Sequence, residues 1–459
     1  MTGRISLTFA LGLAIVSNGL AREEYTRTVD RRLSLQPGEK VYLEHKFGDI
    51  VIHTHPGQDI IIHCDVKVSA PDGAAAKQWA DRIEIAIDQG MSELDIRTRY
   101  PARPNGLMNF LRNVSFSAHY DITVPETTPL EVRNAFGAVS VTGIKANSEI
   151  TNSFGNIDWR DGQGNQRLQT SFSQLRVEGN AGDVWVQSSN GAVDAANIDG
   201  ELNVRDRFAR VTVNRVLKGV IVSNTNGSVD VLDSGGRGDI RTSFASVSVR
   251  NFKGELTVND SNGKVEAADI TGQLIVQNSF AAVNANDIGN GVTVHTSNGE
   301  ISVSKVRGQA SLRTSFATVN AADVSGPLIV ENANGAVKVI NTSDAQVNTS
   351  FAPVVLENVA GAIRIVNQNG SVEAANWARG ACQPVLIRTS FSTLRVRLPA
   401  DASYQVTART SFGNIRTDFP LSISGALSND NLHGVIGSGR CEMNLINSNG
   451  SIEILKAGS

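Results

Sequence analysis

For most of its length the chain repeats one short pattern every eighteen residues, and this period constrains the fold more than any other feature. In the stretch from Thr314 to Ala336, Phe316 is followed by Val319 and Ala321 in alternation, then by Val324, Gly326, Leu328 and Val330. Asn334 then stands where Phe316 stood. With that Phe or Asn as a marker, the series runs Phe136, Phe154, Phe172, Asn190, Phe208, Asn226, Phe244, Asn262, Phe280, Asn298, Phe316, Asn334, Phe351, Asn369. A fixed period with two short alternating runs per lap marks a stacked repeat, in which no lap can bury its apolar face alone. The expected fold is all-β, a parallel β-helix with about eighteen residues per coil and irregular β-rich caps.

Every Asn marker is followed by Gly and every Phe marker by a small residue, and a second glycine recurs ten residues after most markers, as at Gly254, Gly272 and Gly326. Each coil therefore has two main sides and two corners. Asn-Gly between apolar runs also signals hairpins, which would fit a propeller of thirty-six-residue blades. Phe at the same corner argues against that, because it adopts positive φ poorly. Neighbouring coils lie about 4.8 Å apart, which predicts one internal column in which bulky Phe alternates with smaller Asn. Two residues before the marker, Asn224, Thr242, Asp260, Asn278, Thr296, Thr314 and Asn332 form a polar column of inward parity, expected to hydrogen-bond from coil to coil. The markers from Phe136 to Asn449 imply a rod roughly 80 Å long at the usual strand spacing.

Residues 1–21 carry Arg4, an apolar run from Ile5 to Val16 and small residues at Gly19 and Ala21, the pattern of a removable secretion signal. No later run is long enough to span a bilayer as a helix, so the expected product is exported to the periplasm, cell surface or exterior and is not membrane-spanning. A net charge of −3 argues against nucleic acid as a partner. Of Cys64, Cys382 and Cys441, at least one is unpaired. Cys382 and Cys441 could bridge only if the segment from Leu421 to Gly439 folds back, and the sequence leaves this open.

From 22 to 130 the period is absent, and the region reads as a β-rich cap with one short helix from Pro71 to Asp81, capped by Asp72, and an exposed loop from Pro101 to Asn113. The β-helix repeats are expected over 131–418 and a closing segment over 419–459. Three strings carry a resemblance: Lys46-Phe47-Gly48-Asp49-Ile50, the Ser-Phe-Gly-Asn-Ile shared by 153–157 and 411–415, and the ending from Gly437 through Asn449-Gly450-Ser451-Ile452. Together they resemble the bacterial putative adhesin family, whose function is unknown. The resemblance covers roughly residues 35–456 and implies a right-handed single-stranded β-helix exported to the envelope or surface. It supplies no catalytic residues.

Three residues before Phe markers, Arg241, Arg313, Arg388 and Arg409 recur, a line suited to the sulfate, phosphate or carboxylate groups of an acidic glycan. Four residues after Asn markers stand Asp194, Asp230, Glu266, Glu373 and Glu453. Carboxylates two coils apart, about 9.6 Å, approach the spacing of an inverting glycosidase pair. No coil stands out as reactive, and no nucleophile elbow or phosphate loop is present. His53, His55 and His63 could share a strand face, but exposed histidines on a solvated strand explain them equally, and no metal or other cofactor is expected. The function expected is non-catalytic adhesin-like binding or scaffolding by a monomer. A polysaccharide-degrading enzyme and a periplasmic partner of an envelope-stress regulator stay open as alternatives.

Overall fold

The computed structural model describes residues 22–101, 114–377, 382–423 and 429–457. The expected signal at 1–21 and the loop residues 102–113 lie outside them. The chain is a β-solenoid of about 15 turns. A typical lap contributes a six-residue strand such as Val319–Val324 and a four-residue strand such as Leu328–Glu331. Each pairs in parallel with its counterpart one lap on, Val319 opposite Val337 and Leu312 opposite Val330, so two long sheets face each other across the core. Val319, Ala321, Val324, Leu328 and Val330 are all buried. An aliphatic side chain gains about 1.5–3 kcal/mol by full burial, so each lap holds only when its neighbours cover it.

The inward positions 319, 321 and 324 break strict alternation because Asp323 has φ 55° and is skipped in the ladder. The same left-handed kink recurs at Asp161, Asn197, Asp233, Asn251, Asp269, Asp287, Asn341, Asn358 and Asn376, with Arg215 and Lys305 as exceptions. Asn and Asp tolerate this region best among residues with a Cβ. They also link coils, as where Asn341 donates to Asp323 Oδ1 at 2.8 Å.

The polar column is buried as the period predicts. Its partners differ from the expected ones. Asn224 Nδ2 donates to the Ala209 carbonyl at 2.7 Å, Asn278 to Gly263 at 2.8 Å and Asn332 to Ala317 at 3.0 Å. Each side chain therefore ties its coil to the corner backbone of the coil before it, rather than to the equivalent side chain.

The predicted internal column of Phe and Asn is not formed. Phe316 is 65% exposed, and Phe244, Phe280 and Phe351 are equally open. The last inward residue before the corner is the polar one, Thr314, just past the short strand Ala310–Arg313; the corner then turns, and burial resumes at Val319. Parity carried through the corner pointed inward, whereas the turn breaks parity and aims the ring at solvent. The Gly of each Asn-Gly pair serves close approach. A Cβ on Gly263 would lie 2.0 Å from the Ala245 carbonyl oxygen.

At the amino end, Lys40–Glu44 and Ile50–His55 already form a coil, with Phe47 bridged to Phe136. Between this coil and the one at Leu130 the chain makes an excursion. Asp59–Ala70 pairs antiparallel with Glu23–Ser34 and with Ser115–Pro125, and the helix Gly73–Arg82, capped by Asp72, packs on the first two of these strands. An uncovered last coil would expose unpaired strand edges, which this sheet and helix limit. At the far end the order in space departs from the order in sequence. Cys441–Asn447 inserts in parallel between Val385–Thr389 and Tyr404–Thr410, and Ile452–Lys456 inserts between Leu394–Leu398 and Ile415–Thr417. The segment does fold back, through Asn431–Ile436 antiparallel to Tyr404–Thr410, and Cys382 and Cys441 form a disulfide.

Candidate functional site

One edge of the solenoid is lined by the marker corners and carries most of the exposed large apolar side chains among the described residues. Phe136, Phe154 and Phe172, on consecutive laps, stack with centroids 4.7 and 5.0 Å apart and planes within 4° of parallel, and Phe47 continues the stack at 5.4 Å. From Asn190 onward the rings stand on every second coil, at Phe208, Phe244, Phe280, Phe316, Phe351, Phe391 and Phe412, all exposed. Asn190, Asn226, Asn262 and Asn334 lie between them and do not fill the space. Each donates its Nδ2 to the serine or arginine carbonyl just before the preceding Phe, at 3.0–3.2 Å, which lays the amide flat on the coil.

The alternation survives the inserted strands. Residues 385–398 carry Phe391, residues 441–456 carry Asn449 and residues 404–417 carry Phe412, so the levels read Phe, Asn, Phe in space although Asn449 comes last in the chain. The edge is thus a comb, with a ring on alternate levels and a flat Asn-Gly slot between.

The predicted arginines stand beside this edge on the short-strand face, but well apart. The ladder steps from Arg241 through Asn259, Gln277 and His295 to Arg313, then through Glu331, Asn348 and Val366 to Arg388. Arg388 and Arg409 are separated only by Ile446. Arg241 is paired with Asp239 at 2.9 Å and Arg313 with Glu331 at 3.4 Å. Arg388 and Arg409 are exposed and, among the described residues, make no ion pair.

The acidic column on the other flank is engaged as well. Asp230 meets Arg210 at 2.8 Å, Glu453 meets Arg395 at 2.8 Å and Glu373 meets Arg397 at 3.0 Å. The Lys264 ammonium beside Glu266 holds its carboxyl below the usual range, the opposite of what a general acid needs. Carboxyls pushed upward by burial are Asp206 and Asp260, both in the buried polar column.

The histidines do not converge. His63 Nδ1 lies 2.7 Å from Asp30, His55 Nε2 meets the Asp59 carbonyl at 2.6 Å, and no group of three metal-ligating side chains occurs among the described residues. His45 sits inside, its Nδ1 3.0 Å from Thr98 Oγ1, and burial pushes its imidazole down to about 4. A shallow depression on the short-strand face, lined by Glu131, Glu149, Arg167 and Trp185, has the Arg167 guanidinium 4.4 Å from the Trp185 ring centre.

Sequence reasoning found the marker and missed which way it points. The usable signal was Ser at the residue before most Phe markers, an exposed-corner residue type directly after the inward Thr or Asn. Among the described residues no helix is long and apolar enough to cross a membrane.

No protein-family model and no curated protein matches the chain. Among solved structures it is similar to a putative cell adhesion protein from Clostridium sporogenes, at 10% identity over 94% of this chain and 100% of that one, with a TM-score of 0.14. It is also similar to a putative adhesin from Bacteroides fragilis, at 9% identity over 67% of this chain and 97% of that one, with a TM-score of 0.18. Scores this low carry no argument about role, and the β-solenoid assignment rests on the strand pairing itself.

Proposed function

We propose that this protein is an exported, non-catalytic binding or scaffolding rod of the bacterial envelope or surface, and that the Phe edge is its working surface. One observation carries the reading: seven exposed rings on alternate levels from Phe208 to Phe412 form a line that a solitary soluble protein has no reason to keep open to water. A line of exposed apolar groups rimmed by polar residues is the kind of surface that marks interaction sites. The non-catalytic reading is supported by the acids of the outer column, which are committed to cations or, at Asp194, to the Gln174 amide.

Purified protein is incubated with envelope fractions and with acidic and neutral glycans, and retention and reducing-end release are both measured. Retention that falls when Phe244, Phe280 and Phe316 all become Ser supports the edge; retention unchanged by that triple substitution removes it. Salt-sensitive retention that drops in an Arg388→Ala, Arg409→Ala variant adds the arginines to the surface. Product release abolished by a single Asp→Asn or Glu→Gln change would overturn the non-catalytic reading.

A further inference from the structure

Phe136, Phe154 and Phe172 show that the coil spacing accepts a ring on every lap. Crowding therefore does not require the strict Phe–Asn alternation from Asn190 to Phe412. Nor does chain order, because Asn449 is brought from the end of the sequence to take its level between Phe391 and Phe412. Something outside the coil accounts better for a gap on every second level.

The dimensions of that gap identify what fits it. Rings two coils apart stand about 9.6 Å from each other, which leaves space for one flat ring between them at the 4.7–5.0 Å separation that the consecutive Phe laps show. Filling several slots at once demands a partner with the same two-coil repeat along its length. A second copy of this chain has that repeat by construction, whereas a sugar chain or an unrelated protein brings its own.

Resting on the reading that the Phe edge is the working surface, we infer that two copies pair along this edge, antiparallel and offset by one coil, so that each Phe of one copy enters an Asn-Gly slot of the other. A two-fold axis perpendicular to the rods between a Phe level and an Asn level produces this arrangement, and it closes the assembly at a dimer. The area suffices. Seven rings, each roughly 60% exposed, offer roughly 800 Å² per copy, the share of each partner in an ordinary stable interface. The flanks are compatible, because the predicted arginines stand only on Phe laps and the acidic column only on Asn laps. The offset sets neither column level with itself. Arg241 and Arg313 meet Asn laps, which bear Asn259, His295 or Glu331 at the same position.

Sedimentation of the purified protein over a range of concentrations tests this. The wild type is expected to dimerise, and the Phe244→Ser, Phe280→Ser, Phe316→Ser variant to dissociate at least roughly tenfold more readily. A second variant separates pairing from general stickiness: Asn262→Phe with Asn298→Phe fills two slots while adding apolar surface. Interdigitation requires that this variant also dimerise more weakly, and non-specific association requires the reverse. A wild type that stays monomeric, a dimer indifferent to the Ser substitutions, or a stronger dimer in the Phe variant would each overturn the inference. Retention on envelope material that still depends on Phe244, Phe280 and Phe316 in a strictly monomeric protein would leave the proposed function standing without the pairing.

Discussion

Phe136 and Phe154 lie on successive coils with ring centroids 4.7 Å apart and planes 4° from parallel. A phenyl ring seen edge-on is thinner than the coil spacing, so an outward corner accepts one on every lap. The interior offers no such freedom at this position, because the corner backbone approaches the preceding coil closely enough to exclude even a methyl group at Gly263.

Outward rings contribute little to folding. Phe316→Ser is expected to change stability by no more than about 0.5 kcal/mol, whereas Ile301→Ala, one coil earlier and wholly buried, is expected to lose about 2–5 kcal/mol. Denaturant unfolding of the two variants under conditions that keep the protein monomeric makes the comparison.

Asp260 occupies a place in the buried column where Asn224, Asn278 and Asn332 each donate to the coil before. Its carboxylate has no hydrogen to give, its Oδ2 has no partner, and burial raises its pKa. Asp260→Asn is expected to stabilise the protein by about 1 kcal/mol at neutral pH. The sign follows from linkage: the ionised form is the one disfavoured in the fold, so the deficit disappears as pH falls through the raised folded value. Thermal midpoints at pH 7 and pH 4 should show the gain at the higher pH and little at the lower.

How far the fold could be read in advance follows from which residues reported it. Val319, Ala321, Val324, Leu328 and Val330 announced two inward runs per coil, and Asp72 announced the helix that follows it, because burial and capping act within a few residues. The direction of Phe316 was not legible, since parity counts hold along a strand and fail at a corner whose dihedral angles the sequence does not print. The left-handed column escaped notice although Asp323, Asn341 and Asn358 carry its signature; their Asn and Asp side chains look like ordinary polar surface until the skipped pairing is seen. The insertion of residues 441–456 between earlier coils depends on contacts far apart in the chain, and only the abrupt lengthening of the period after Asn369 hinted at it.

His45 predicts an acid sensitivity. It is buried, its Nε2 has no partner, and desolvation lowers its pKa from 6.5 to about 4. Stability is full above the unfolded value near 6.5 and is lost as pH falls from there to about 4, where the unfolded chain holds a proton that the fold resists. The expected loss is about 3 kcal/mol. His45→Gln should flatten the unfolding profile across that window, and an unchanged slope would remove His45 as the cause.

The Cys382–Cys441 disulfide spans 59 residues and pins the inserted strand beside Val385–Thr389. Loop-closure entropy assigns it about 4 kcal/mol. In a Cys382→Ser, Cys441→Ser variant, hydrogen exchange is expected to accelerate first in residues 441–456 while the coils around Val319 keep their protection. Uniform acceleration along the rod would mean that the far end does not open separately.

The direction of the marker ring can be read by thiol modification. The native thiol, Cys64, is buried and the other two cysteines are bridged, so in the folded protein a cysteine placed at position 316 reports against a silent background, and a Cys64→Ala background keeps it silent in denaturant. At dilutions that keep the protein monomeric, Phe316→Cys is expected to react with a maleimide as fast as it does in denaturant, and Val319→Cys to react only on unfolding. Protection of Phe316→Cys equal to that of Val319→Cys would place the ring inside the coil and remove the surface on which the proposed function rests.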